Sequence, residues 1–265
     1  MVNTSFYKKN MLIQNMRGWP VSHSRIMRTI EEIAKKVNAQ SAICVLALSE
    51  MVPGKNRFYI KKLLSLLEQE WELVEPYGYD IDIHWRSAVN IIMVKKGFAK
   101  QIESLEIPNM NQNSSMDFSG LYCYAKLELH GKTESLFIMN NHHIQLQNEG
   151  KPIAYQLERS MKASVFWEAT LAELQRKKNE NLLFVGDHNA ERGYGVNSDK
   201  IALVEQILPD TFCGDRNNAV TYTDPAGNGH RFDHVFSNVG GVSWINVHPT
   251  VNGYSDHNSL LYSFN

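Results

Sequence analysis

Acids, amides and imidazoles recur in this chain directly after short apolar runs. Asn15 follows one such run, Ser49-Glu50 follows Leu48, Asn141-His142-His143 follows Asn140, and Gly186-Asp187-His188-Asn189 follows Val185. Further along stand Arg231-Phe232-Asp233-His234 and Ser255-Asp256-His257. One carboxylate at one strand end is ordinarily a turn former, and Gly-Asp-x-Asn by itself is turn chemistry. A whole series is different, because strand C-terminal ends in α/β folds converge on a single cleft. A cleft lined by Asn15, Glu50, Asp187, Asn189 and Asp256 offers hard oxygen ligands, which suit Mg²⁺ or Mn²⁺ rather than zinc. Such an ion neutralises a phosphate oxygen and the charge that builds up during transfer.

Regular elements must hold these residues in place. Asn10 to Gln14 reads as a short strand, stopped by the Gly18 and Pro20 region. Ser22 or Ser24 is placed to cap a helix in which Ile26, Ile30, Ile33 and Val37 recur at helical spacing, with Glu31, Glu32, Lys35 and Lys36 between them. Ala42 to Leu48 is unbroken and apolar, as in a strand buried on both faces. A second helix is predicted from about Asn56 to Glu70, a long one from Ile153 to Lys178, and another from Asp199 to Leu208. Strands are predicted near Glu72–Glu75, Ala88–Val94, Leu121–Leu129, Leu136–Asn140, Leu182–Val185, Arg231–Ser237, Val242–His248 and Ser259–Phe264. Pro108 to Ser119 reads as a surface loop. With no linker or repeat in the sequence, a single mixed α/β domain over residues 1–265 is expected, its helices covering its sheets.

Charge sets limits on partners. The 27 Lys plus Arg against 28 Asp plus Glu give a net charge of -1, so nucleic-acid packaging by a strong positive field is excluded. A 43% hydrophobic content excludes a disordered chain. Cys44, Cys123 and Cys213 lack CxxC spacing, which argues against a disulfide scaffold and a zinc ribbon. No apolar run is long enough to span a membrane, and the one after Lys8 and Lys9 is too short for a signal-peptide core. A cytoplasmic monomer is the expectation.

Taken in order, Asn15-Met16-Arg17-Gly18-Trp19, Ser49-Glu50, Asn141-His142-His143-Ile144-Gln145, Gly186-Asp187-His188-Asn189, Arg231-Phe232-Asp233-His234-Val235-Phe236 and Ser255-Asp256-His257 resemble the motif series of the endonuclease/exonuclease/phosphatase superfamily. One of these motifs alone arises by chance; the ordered set, spread from Ile13 to Tyr262, does not. The resemblance implies a deoxyribonuclease I-like fold, in which two packed mixed β-sheets flanked by helices form a four-layer α/β sandwich. It implies a divalent-metal-dependent phosphodiesterase, with nucleic acid as the expected substrate and a small phosphate ester or lipid headgroup as the alternative. A catalytically inactive binding module is the rival from another class; the complete polar set argues against it.

The same resemblance assigns roles. Glu50, helped by Asn15 and Asp256, would hold Mg²⁺ or Mn²⁺. Asp187 would orient or deprotonate the attacking water, Asn189 would hydrogen-bond the phosphate or the nucleophile, and His143 would donate to a non-bridging phosphate oxygen. His257 would sit beside the scissile phosphate with Asp233 steadying its ring. Arg17 and Trp19, close in sequence to Asn15, are candidate substrate contacts on their own account. A carboxylate beside an imidazole favours the charged ring, which fits that pairing. The chain departs from the pattern at Ser49 (Gln in the family), His142 (Thr) and His188 (Phe or Leu). Neighbouring residues in a strand face opposite sides, so one of His142 and His143 faces the cleft; the family register selects His143 and leaves His142 a structural role. Ser255-Asp256-His257 is not a hydrolase triad, since adjacent residues cannot form that geometry and no GxSxG elbow is present. Cys213-Gly214-Asp215-Arg216 reads as a loop.

Overall fold

The computed structural model describes residues 9–16, 22–108, 110, 118–144, 151–191, 197–211, 220–224, 226–239, 244–248 and 255–264. Its strands are β1 (Lys9–Asn15), β2 (Ile43–Met51), β3 (Trp71–Val74), β4 (Val89–Lys95), β5 (Ala99–Leu105), β6 (Tyr122–Leu129), β7 (Ser135–His142), β8 (Asn181–Asp187), β9 (Tyr222–Thr223), β10 (Gly229–His230), β11 (Asp233–Ser237), β12 (Trp244–His248) and β13 (Ser259–Phe264). The helices are α1 (His23–Asn38), α2 (Phe58–Leu66), α3 (Ile153–Lys177) and α4 (Ser198–Ile207).

Strand alternation sorts these elements into layers. One sheet has the order β12-β13-β1-β2-β4-β3 and the other β11-β8-β7-β6-β5, with β9 and β10 forming a separate ribbon. Met11, Ile13, Val45, Ala47 and Ile92 of the first sheet pack with Ala125, Leu127, Ile138, Leu183, Val185 and Val235 of the second. The alternate residues Leu12, Leu46, Leu48, Ile91 and Met93 point outward, where Ile26, Ile30, Ile33 and Val37 of α1 and Ile60 and Leu63 of α2 cover them. Tyr124, Phe137, Met139, Phe184 and Phe236 on the far face meet Ala163, Phe166, Trp167 and Leu174 of α3 and Ile201 and Val204 of α4. The result is the expected four-layer α/β sandwich. Because β1, β2, β7 and β8 are buried on both faces, their sequences are apolar runs without alternation of polarity.

Topology also sets where the site lies. β1 and β2 run parallel, as do β7 and β8. β13 is antiparallel to β1 and β11 to β8. One edge of the sandwich therefore gathers the C-terminal ends of four strands and the beginnings of β11 and β13.

Some elements differ from the sequence prediction. β5 was not anticipated: its Ala-Lys-Gln-Ile-Glu-Ser-Leu sequence is mostly solvent-facing and lies on a sheet edge, so little apolar signal marks it. α2 is shorter than Asn56–Glu70 at both ends: Asn56 and Arg57 adopt positive φ at its start, and Leu67 turns to extended backbone at its end. Ser22 does occupy the N-cap of α1, but its hydroxyl meets that of Ser24 at 3.0 Å and makes no side-chain cap bond. Cys44 and Cys123 are free and buried; Cys213 lies outside the described residues. Among the described residues no helix is long and apolar enough to cross a membrane.

Candidate active site

The site begins at Asn15, buried at the end of β1. Its Nδ2 donates to Asp187 Oδ2 at 2.8 Å and to Glu50 Oε1 at 3.2 Å. One amide thus bridges two carboxylates whose mutual repulsion would otherwise separate them. Gln14 Nε2 donates to the His257 carbonyl at 3.1 Å, and Ser255 Oγ donates to the Asn15 carbonyl at 2.8 Å. These bonds fasten the Ser255-Asp256-His257 segment to the end of β1.

Two site residues are held in left-handed backbone. Glu50 has φ +55° and Asn189 φ +49°. Such conformations in non-glycine residues cost on the order of 1–3 kcal/mol and persist where surrounding contacts impose them. For Glu50 the constraint is a bulge in β2 between Leu48 and Met51, with the Glu50 N–H donating to Asn90 Oδ1 at 3.2 Å. For Asn189 it is a tight turn after β8, in which its N–H donates to Asp187 Oδ1 and its Nδ2 to the His143 carbonyl, both at 2.8 Å. Gly186 precedes that turn at φ +122°, and a Cβ there would stand 2.1 Å from the Asn141 carbonyl oxygen. Only glycine lets β8 lie this close to β7.

Asp187 and His257 have opposite electrostatic surroundings. Burial pushes the Asp187 carboxyl up to about 6, the Asp233 charge adds to the rise, and His257 and His142 oppose it. Burial alone would lower the His257 ring, but the carboxylates of Asp233, Asp187 and Asp256 outweigh it and raise the ring to about 10. His257 Nδ1 lies 2.7 Å from Asp233 Oδ2, and its Nε2 lies 3.6 Å from Asp187 Oδ2. Asp233 is itself fixed, its N–H donating to Thr221 Oγ1 at 3.0 Å. At neutral pH the site therefore holds an oriented imidazolium next to a carboxylate that has just lost its proton.

The structure reverses the expectation for the two adjacent histidines. His142 reaches the cleft, its Nε2 3.2 Å from Glu50 Oε1 and 3.8 Å from Asp187 Oδ2. His143 is wholly buried, stacked on Trp167 of α3 with ring centroids 3.5 Å apart. Its Nδ1 lies 3.0 Å from Nδ1 of His188, and burial holds both rings well below the usual histidine range. The expected contact between the His143 ring and phosphate is therefore not available. Its backbone contributes instead: the His143 N–H donates to the Asp187 carbonyl at 2.8 Å, and its own carbonyl accepts from Asn189. A signal was present in the sequence. His188 stands where the resemblance expects an apolar residue, so a histidine in that core position needs a polar partner.

The remaining expected residues divide as follows. Asn15, Glu50, Asp187, Asn189, Asp233 and His257 come together at one edge. Asp256 is half-buried and adds its charge to the field on His257. Arg17 and Trp19 lie outside the described residues. Among the described residues two groups of ligand atoms lie within 4.8 Å of one another, Glu50–His142–Asp187 and Asp187–Asp233–His257. The first, with Asn15 beside it, fits a divalent ion: it combines two carboxylates, an amide that can turn its oxygen inward, and one imidazole. The donor set is thus less purely oxygen than the sequence reading supposed.

No protein-family profile and no curated protein sequence matches the chain. Solved structures do. D. rerio TDP2 complexed with single strand DNA product is similar at TM-score 0.62 and 16% identity, over 97% of this chain and 99% of that one. An endonuclease/exonuclease/phosphatase family protein from Leptotrichia buccalis is similar at TM-score 0.62 and 14% identity, over 97% of this chain and 99% of that one. The endonuclease domain of TRAS1, a telomere-specific non-LTR retrotransposon, is similar at TM-score 0.54 and 13% identity, over 97% and 98%. At such identities the likeness establishes the fold. The chain is a deoxyribonuclease I-like α/β sandwich, and its structural neighbours include proteins of the family its motifs resemble.

Proposed function

We propose that this chain is a divalent-metal-dependent phosphodiesterase that hydrolyses nucleic acid. The observation that carries the reading is the pair of opposed groups 3.6 Å apart, Asp187 raised to about 6 and His257 raised to about 10. Two neighbouring titratable groups with pKa values pushed apart are the arrangement that acid–base chemistry requires at neutral pH.

Asp187, ionised above about pH 6, accepts the proton of a water aimed at phosphorus. The turn at Asn189 fixes the direction of that carboxylate through the Asn189 N–H on its Oδ1. His257, held by Asp233, donates from Nε2 to a non-bridging phosphate oxygen and offsets the charge that grows in the transition state. Glu50, with Asn15 turned to present Oδ1, would hold the ion. When bound, the ion neutralises charge on the departing oxygen.

Nucleic acid is favoured over the other phosphate esters by the structural likeness to a TDP2 that was captured with a single-stranded DNA product. The test is a substrate panel: plasmid, single-stranded DNA, RNA, sphingomyelin and inositol phosphates, each with Mg²⁺, with Mn²⁺ and with EDTA. Metal-dependent cleavage of a nucleic acid is the expected result. Release of phosphocholine or inorganic phosphate without nucleic-acid cleavage would move the assignment to a lipid or small phosphate ester.

A further inference from the structure

Among the described residues, His142 is a ring facing the cleft that the acid–base scheme leaves without a task. It closes β7, which runs parallel to β8, and it is register-paired with Asp187. Its Nε2 stands 3.2 Å from Glu50 Oε1 and 3.8 Å from Asp187 Oδ2, and the three atoms form a group within 4.8 Å. Ligand atoms that share one octahedral ion at about 2.1 Å are separated by about 3 Å when adjacent and about 4 Å when opposite. The two separations from His142, 3.2 and 3.8 Å, fall in that range. The ring is half-buried, so it is oriented by the strand yet reachable from the cleft.

We propose that His142 is a direct ligand of the divalent ion held at Glu50 and makes this site prefer Mn²⁺ to Mg²⁺. The inference rests on the metal-dependent reading above and goes further, by naming the residue that selects the ion. Mg²⁺ takes oxygen ligands and keeps several waters, whereas imidazole nitrogen is a ligand of first-row transition ions. Carboxylates are ligands of both ions. Replacing one oxygen of the donor set by nitrogen therefore weakens the claim of Mg²⁺ and leaves Mn²⁺ well served. The 3.2 Å approach to Glu50 has a consistent part in this. It points Nε2 at the carboxylate that must share the ion, so little side-chain ordering remains when the ion arrives.

Calorimetric titration of the full chain with MnCl₂ and, separately, MgCl₂ tests the proposal without any substrate. The wild type is expected to bind Mn²⁺ about tenfold or more tightly than Mg²⁺. His142→Gln should lose about 10–100-fold in Mn²⁺ affinity, the range for removing groups that tune a metal site, with Mg²⁺ affinity changed much less. His142→Asp restores an oxygen ligand and should bring the two affinities close together. Pulsed electron paramagnetic resonance of the Mn²⁺ complex should show a coupled nitrogen in the wild type that is lost in His142→Gln.

Equal losses for both ions in His142→Gln, or an unchanged nitrogen coupling, would overturn the assignment and leave His142 as a partner that only orients Glu50. A wild type that binds neither ion would instead overturn the metal dependence of the proposed function. A selective loss of Mn²⁺ affinity in His142→Gln, with no phosphodiesterase activity in the wild type, would uphold the ligand assignment while removing the proposed reaction.

Discussion

Asp187→Asn should stabilise the metal-free protein while removing its activity. Asp187 moves from 3.8 to about 6 on folding, chiefly because the fold buries it. Each pK step is 1.36 kcal/mol, so keeping this carboxylate ionised at neutral pH costs the fold about 3 kcal/mol. The sign follows from the direction of the shift. The folded state holds the proton more tightly than the unfolded chain, so the cost is absent below about pH 3.8, grows toward pH 6 and is complete above it. Asparagine keeps the shape and one acceptor oxygen, and Asn15 can turn its amide to pair with the new one. In EDTA at pH 7.5 the variant should melt higher by roughly 6–9 °C, taking about 2–3 °C per kcal/mol for a chain of this size. At pH 3.5 the difference should vanish. Saturating Mn²⁺ adds about 2.7 kcal/mol at 100 times Kd to whichever form binds it, so the gap should narrow by the affinity the variant loses with the Asp187 carboxylate. Scanning calorimetry across pH, beside a hydrolysis assay, reads all of this. A variant that is less stable than wild type at pH 7.5 in EDTA, or equally stabilised at both pH values, would refute the electrostatic reasoning.

Other perturbations test separate parts of the site. Asp233→Asn removes the strongest charge holding the His257 proton, so the basic limb of the pH–rate profile should fall from about 10 toward neutrality; at pH 8 the rate should drop by about 10²–10³, and a basic limb that stays near 10 would show that Asp233 does not set it. His143→Phe and His188→Phe each leave the other ring with a lost partner in the core, at about 1–3 kcal/mol apiece, and the double variant should be less destabilised than the sum; strict additivity in urea titrations would mean the two Nδ1 atoms are not bonded. Gly186→Ala places a methyl group 2.1 Å from the Asn141 carbonyl oxygen, so it should destabilise by about 3 kcal/mol or more and displace the Asp187 turn; near-wild-type melting and activity would contradict the close approach of β7 and β8.

How much of this was legible in the sequence varies with the physics of each part. The helix His23–Asn38 declares itself, because Ile26, Ile30, Ile33 and Val37 form one stripe that buries against Leu46 and Ile91. The central strands do as well, since two-faced burial removes polar residues from β2 and β8. The edge strand Ala99–Leu105 is nearly silent, because a solvent-facing edge imposes no pattern of its own. The site is legible as a set of strand ends, and the resemblance orders them. Which of His142 and His143 turns toward the cleft is not, because adjacent residues differ only by strand register, and register depends on pairing across the sheet. The His143–His188 pair shows the same limit: a buried histidine is understandable only once its partner from another strand is in view.

If the cluster of Asn15, Glu50, Asp187, Asp233 and His257 hydrolyses a phosphodiester with a divalent ion, cleavage must depend on the ion and on the two opposed side chains together. Single-turnover cleavage of an end-labelled single-stranded oligonucleotide reads both dependences, with wild type, Asp187→Asn and His257→Ala each assayed in Mn²⁺, in Mg²⁺ and in EDTA. The wild type should cleave with either ion and not in EDTA, and both variants should lose about 10²–10⁴ in rate while their melting curves stay cooperative. Cleavage in EDTA at the metal-supported rate, or folded variants that cut as fast as wild type, would contradict that dependence.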